Sequence, residues 1–113
     1  MQRREGPCGE WLERDGDLVR IGYGKRALEP IGEVFWAGLP QVGATLQKGD
    51  VAVVFESAKA ATDCESPLSG CVVDVNLSLQ SSPAQLNESP EQVWVYALKG
   101  ISEGEWEALP ELE

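Results

Sequence analysis

Lys59 stands apart chemically from the rest of the chain. It sits in Ser57-Ala58-Lys59-Ala60-Ala61, walled by small residues, and it alone of Lys25, Lys48, Lys59 and Lys99 has such neighbours. A lysine with the ordinary pKa of about 10.4 is unprotonated in only about one molecule in 2,500 at pH 7. It becomes acylated only when another enzyme presents an activated acyl group and helps remove the proton. The common role of an exposed turn lysine is solubility. The small neighbours, the symmetric turn signals around it and the shortage of other chemistry make modification the alternative worth testing.

That shortage is pronounced. The 113 residues contain no histidine. This excludes Ser-His-Asp and Cys-His triads, histidine acid–base catalysis and most zinc sites. Cys8, Cys64 and Cys71 are odd in number and lack Cys-x-x-Cys spacing, so the reading is three reduced thiols. Such a chain is expected to be a carrier, adaptor or structural part and not an enzyme.

The elements that position Lys59 can be read around it. Val51-Ala52-Val53-Val54-Phe55-Glu56 is a dense β-prone run, expected to be buried on both faces. Thr62-Asp63-Cys64-Glu65-Ser66 follows the lysine and can pair with it. Gly49 and Gly70 mark turns ten residues before (59 − 49) and eleven after (70 − 59). The two arms therefore fold into a hairpin with Lys59 near its tip.

Elsewhere the chain reads as short strands separated by turns. Residues 1–9 are polar, with Gly6 and Pro7, and are expected to be irregular. Asp15-Gly16 between two β-prone runs, ending in Leu18–Tyr23, signals a hairpin. Lys25–Glu29 makes one helical turn before Pro30. Val34–Ala37, a short strand in Val42–Asp50, Cys71–Leu77 and Gln92–Leu98 complete the strand set. Ser82-Pro83 offers an N-cap and a first helical position. Residues 100–113 form an acidic tail with Glu103, Glu105, Glu107, Glu111 and Glu113, either a short helix or a frayed end. Trp11, Trp36 and Trp94 are expected in the core. The pattern is one mainly β domain over residues 10–99, a small sandwich or barrel.

Charge narrows the partners. The formal net charge is −10, from 19 acidic against 9 basic residues. Nucleic-acid binding needs clustered cations, so no nucleic-acid partner is expected. No apolar run reaches the roughly 20 residues of a membrane helix, and no secretory signal is visible. The expectation is a cytoplasmic monomer that docks onto basic patches.

Several segments together resemble the glycine cleavage system H-protein family. They are Leu39–Asp50, Glu56-Ser57-Ala58-Lys59-Ala60-Ala61, Ser66-Pro67-Leu68-Ser69-Gly70 and Val73-Asp74-Val75-Asn76. Glu10-Trp11, Ile21-Gly22, Ser82-Pro83, Leu86-Asn87 and Trp94 fit in the same order, so the resemblance spans about residues 10–99. It implies a barrel-sandwich hybrid, as in lipoyl and biotinyl carriers, with one or two short helices. It implies lipoate attached to Lys59 and Glu56 read by the modifying lipoate ligase or lipoyl transferase. Glu10 and Asp63 would line a groove for the loaded arm. The implied partners are glycine decarboxylase, aminomethyltransferase and dihydrolipoyl dehydrogenase, between which an aminomethyl group travels. A disulfide or a metal site is the alternative to three reduced thiols, and the five-residue spacing from Lys59 also allows a mixed disulfide between Cys64 and reduced lipoate.

Other readings stay open. Biotin carriers usually flank the lysine with methionines, whereas Ala58 and Ala60 do so here. An H-like carrier could instead relay lipoate to 2-oxoacid dehydrogenases or serve a sulfur-oxidation or stress pathway. An unmodified adaptor of the same fold is the third reading.

Overall fold

A computed structural model describes residues 2–112. Among the described residues nine strands form, all paired antiparallel, in two sheets, several of them on period-two alternation of apolar and polar residues. The larger has the order β1 (Gln2–Glu5), β2 (Glu10–Asp15), β3 (Leu18–Tyr23), β9 (Trp94–Lys99), β8 (Gly70–Val75), β5 (Thr45–Leu46). The smaller has the order β4 (Val34–Gly38), β6 (Val51–Ser57), β7 (Ala61–Glu65). The two sheets sandwich one core. Leu12, Val19, Ile21 and Leu98 of the first meet Val34, Val53 and Phe55 of the second. Tyr23 and Phe55 join the sheets edge-to-face, ring centroids 5.0 Å apart. Each such large apolar side chain contributes about 2–3 kcal/mol by leaving water.

The helices are short: α1 (Lys25–Leu28), α2 (Ser78–Ser81), α3 (Ala84–Glu88) and α4 (Glu103–Ala108). Each places one or two apolar side chains on the core, among them Leu28, Leu79, Leu86 and Trp106. Asn87 of α3 accepts from Val34 N–H at 3.0 Å and donates to Val34 C=O at 2.8 Å. Its amide takes the place of a further strand on the free edge of β4, an edge that would otherwise invite pairing.

Several expectations are corrected. The N-terminal segment is not irregular throughout, because Gln2–Glu5 pairs with β2 from Gln2↔Arg14 to Glu5↔Trp11. Four short helices form where one or two were expected. Ser82 does not cap α3; its N–H closes α2 onto Ser78 C=O at 2.9 Å, and Pro83 takes the capping position. β6 is not buried throughout: Ala52, Val53 and Phe55 are buried, Val54 is only partly buried and Val51 is 50% exposed. Trp11 is core, but Trp94 is only partly buried and Trp36 is 47% exposed. A register shift between Val34 and Trp36 leaves both Phe35 and Trp36 outward.

Candidate functional site

β6 and β7 form the expected hairpin, in register from Val51↔Glu65 to Glu56↔Ala61. Its base is locked by the Ser-Pro-Leu-Ser turn. Ser66 N–H donates to Asp50 C=O at 2.7 Å and Gly49 N–H to Ser66 C=O at 2.9 Å. The buried Ser66 hydroxyl donates to Leu68 C=O at 2.7 Å. Ser69 N–H and hydroxyl donate to the Glu105 carboxylate of α4 at 2.7 and 3.1 Å. Gly49 lies at φ 96°, a left-handed conformation that a glycine adopts without strain.

The tip is held by one serine. Ser57 N–H donates to Ala60 C=O at 3.1 Å and closes the turn. The Ser57 hydroxyl, on a residue 7% exposed, donates to Ile31 C=O at 2.8 Å and accepts from Lys59 N–H at 3.3 Å. It ties the tip to the loop after α1. By sequence Ser57 reads only as a small neighbour of the lysine; a polar residue at an inward strand position is the signal that marks it.

Ala58, Lys59 and Ala60 are exposed. The Lys59 side chain runs over Gly32, where an added Cβ would stand 3.6 Å from Cε and 3.9 Å from Nζ. Among the described residues Lys59 makes no ion pair; the four present all use arginines. The amine is therefore presented without a competing partner.

The other candidate residues take different places. Glu56 is half-buried opposite Trp36 and Ala61, three residues before the lysine. Asp63 is exposed on β7 and borders a cavity of about 350 Å³. Tyr23, Ala27, Ile31 and Cys64 give that cavity a largely apolar wall, with Cys8 at its rim. Glu10 is only 1% exposed and does not line the cavity. Its Oε1 accepts from Cys8 N–H at 2.8 Å beneath the Gly6–Gly9 turn. Gly6 is required there, because a Cβ would fall 2.3 Å from that oxygen. Burial pushes the Glu10 carboxyl above its ordinary range. Burial likewise raises the Cys64 thiol to about 12, so it stays protonated.

No group of three or more metal-ligating side chains stands together among the described residues. No helix among them is long and apolar enough to cross a membrane. What the arrangement offers is one amine without an ion pair among the described residues, at the tip of a ribbon whose second strand walls a largely apolar cavity.

Comparison with known proteins agrees with this geometry. The family model "Glycine cleavage H-protein" matches residues 3–113. The glycine cleavage system H protein of Dinoroseobacter shibae is 41% identical over 105 residues, 92% of this chain and 86% of that relative. That of Thermotoga maritima is 38% identical over 101 residues, 88% and 82% of the two chains. The crystal structure of a glycine cleavage system H protein from Mycobacterium marinum superposes with a TM-score of 0.79 at 30% identity, covering 90% of this chain and 87% of that one. With its exposed hairpin lysine, paired sheets and near-complete coverage, the chain belongs to the glycine cleavage H-protein family.

Proposed function

We propose that this chain is a lipoyl carrier of the glycine cleavage system, with lipoate in amide linkage to Lys59. The observation that carries this is the placement of Lys59: exposed, unpaired and held at the tip of a β-ribbon by Ser57. The surroundings fit the group. The amine is open to a modifying enzyme, and the cavity beside the hairpin is apolar enough for a hydrocarbon arm and its ring. When bound, the group supplies thiol–disulfide chemistry and carriage of an aminomethyl unit between partner enzymes.

The chain's own residues present, steer and shelter. Ser57 fixes the tip so that Lys59 projects outward. Glu56, three residues earlier, offers a carboxylate that the lipoate ligase or transferase reads. The Lys59 charge is lost on acylation at no cost to an internal ion pair. Asp63 at the cavity edge supplies a negative charge for a protonated amine on a loaded arm. Glu10 acts beneath it, fixing the Gly6–Gly9 turn through Cys8 N–H. A tethered arm meets docked partners at an effective concentration in the mM range. Glycine decarboxylase, aminomethyltransferase and dihydrolipoyl dehydrogenase are those partners, and the chain works as a non-catalytic monomer.

The test is intact-mass measurement after incubation with a lipoate ligase. A gain of one lipoyl group, absent in Lys59→Arg, supports the carrier. No gain in the wild-type chain with a competent ligase overturns it in favour of an unmodified adaptor. The modified chain should then be reduced when glycine and the decarboxylase are supplied. Modification without that reduction moves the protein to a lipoate relay or sulfur pathway.

A further inference from the structure

The smaller sheet turns a patterned face to solvent. Its ladder sets that pattern in rows, read from the hairpin tip downward. Trp36 stands opposite Glu56, and Glu56 opposite Ala61. Gly38 stands opposite Val54, and Val54 opposite Asp63. Val51 then stands opposite Glu65. Ladder partners share a face, and this one points away from the core, where Val53, Phe55 and Cys64 of the same strands lie. Trp36, Val54 and Val51 therefore form an apolar patch beside the carboxylates of Glu56, Asp63 and Glu65. None of these positions carries a cation.

Trp36 is fixed in place. A Cβ at Gly38 would stand 2.7 Å from its Cη2 and 3.0 Å from its Cζ3, so the ring fills the space of a side chain at that position. Gly38 does not have a positive φ, so it is the ring and not the backbone that excludes a side chain there. A half-exposed tryptophan held against its own strand loses little freedom on binding, which suits it to anchor a partner. The face also runs up to the lysine. Glu56 lies three residues before Lys59 (59 − 56), at most roughly 10 Å along the chain, and the strand of Trp36 is one spacing of about 4.8 Å further. The Lys59 side chain itself leans over Gly32, two residues before β4 begins (34 − 32).

We propose that this face is where the enzyme that acylates Lys59 docks, with Trp36 seated in an apolar socket and the carboxylates met by Lys and Arg around it. This rests on the carrier reading above. Charge decides against a second copy, because two such faces would set Glu56, Asp63 and Glu65 against their own kind with no cation between them. Size agrees. Three strands about 4.8 Å apart and roughly five residues long present about 240 Å² in projection, well below the ~800 Å² that each side of a stable complex buries. The face fits a brief visit, in which the enzyme gains the rest of its grip from the tip that enters its active site. Trp36 is a positioning residue here: it holds the ribbon while the amine reacts elsewhere.

The experiment follows lipoylation of the full chain by a purified lipoate ligase, read by intact mass across chain concentration at low and high salt. Trp36→Ala should raise KM for the chain about tenfold, with kcat within about twofold of wild type. Gly38→Ala keeps the tryptophan but displaces its ring, and should raise KM several-fold. Glu65→Lys, in the row farthest from the tip, should lower kcat/KM several-fold at low salt, and the deficit should fade at high salt. Leu77→Ala, at an exposed apolar residue outside both sheets, should match wild type. Circular dichroism checks that each variant is folded. An unchanged KM in Trp36→Ala, or in Gly38→Ala should the former not fold, overturns the proposal and leaves the carrier reading standing. A loss confined to kcat does the same. So does a normal KM with slower reduction by glycine and the decarboxylase, which would give the face to that partner. A wild-type dimer that Trp36→Ala abolishes overturns it in favour of a second copy. A wild-type chain that a competent ligase does not lipoylate brings both readings down.

Discussion

The lysine tip and the arginine clasp at the chain ends treat positive charge in opposite ways. At the clasp every cation is engaged. Arg4 lies 5.3 Å from the Trp106 ring centroid and donates to Leu109 C=O at 2.8 Å. Arg14 lies 5.3 Å from the same ring and pairs with Glu103. Arg3 covers Trp11 at 4.6 Å and pairs with Glu13 at 3.1 Å. Backbone bonds from Glu5 N–H to Pro110 C=O and from Leu112 N–H to Arg3 C=O, each 3.0 Å, tie the tail to β1. At the hairpin tip Lys59 holds nothing. A planar, permanently charged guanidinium suits stacking and forked bonding, whereas an ammonium on a flexible stem can be neutralised and extended. Scaffold and function are thus divided by cation type: acylating Lys59 breaks no ion pair, while neutralising a clasp arginine would.

The largest expected effect breaks the clasp and spares the tip. Trp106 is 2% exposed and carries two guanidinium groups on its ring. Trp106→Ala should cost about 3 kcal/mol or more and lower Tm clearly. Below that Tm, the rate of lipoylation of Lys59 should match wild type. A folded Trp106→Ala chain that is lipoylated slowly would show that the two regions are not separate.

Ser57→Ala attacks the other side with a smaller expected effect on stability. It leaves Ile31 C=O without its 2.8 Å donor and Lys59 N–H without its acceptor. The cost should be about 1 kcal/mol, read by chemical denaturation. Unlike the clasp variant it should slow lipoylation several-fold, because the tip is no longer tied to the loop after α1. Unchanged lipoylation would mean that the modifying enzyme reads the ribbon and not its pinned tip.

How much of this was legible in the sequence follows the same division. The hairpin was readable because its signals are local: a β-branched run, small residues at the turn and glycines at the flanks. The β2–β3 hairpin was readable from Asp15-Gly16, with Gly16 at φ 64°. Strand β1 was not, because Gln2-Arg3-Arg4-Glu5 has no apolar alternation. It is held by ladder bonds and by guanidiniums over rings that lie far off in sequence. Helix α2 is not legible for a similar reason, since Ser78-Leu79-Gln80-Ser81 has no start signal and is anchored by the burial of Leu79 and by bonds from Ser78 to Asn76 and from Gln85 to Ser78. Trp36 reads as core by residue type, but a register shift decides its face. In the site, Lys59 could be placed from its neighbours. The cavity could not, because its walls come from the Cys8 turn, β3, the α1 region and β7.

The contrast extends to acids, and there the expected effects are smallest but opposite in sign. At the clasp the hydrogen bond from Arg14 holds Glu103 below its ordinary 4.5. Stability from a lowered carboxyl is present above the unfolded value and is lost as pH falls through the folded one. Beside the cavity, burial holds Glu10 above that value. Its contribution is fully present below the unfolded value and is lost as pH rises through the folded one, because the folded state then retains a proton that the unfolded state releases. Glutamine mimics the protonated acid and can still accept from Cys8 N–H. Each Tm difference, variant minus wild type, should therefore be near zero at acid pH. Toward neutral pH it should turn positive for Glu10→Gln and negative for Glu103→Gln, the latter shrinking in high salt. Differences of the same sign would mean that the buried carboxylate is as well compensated as the surface pair.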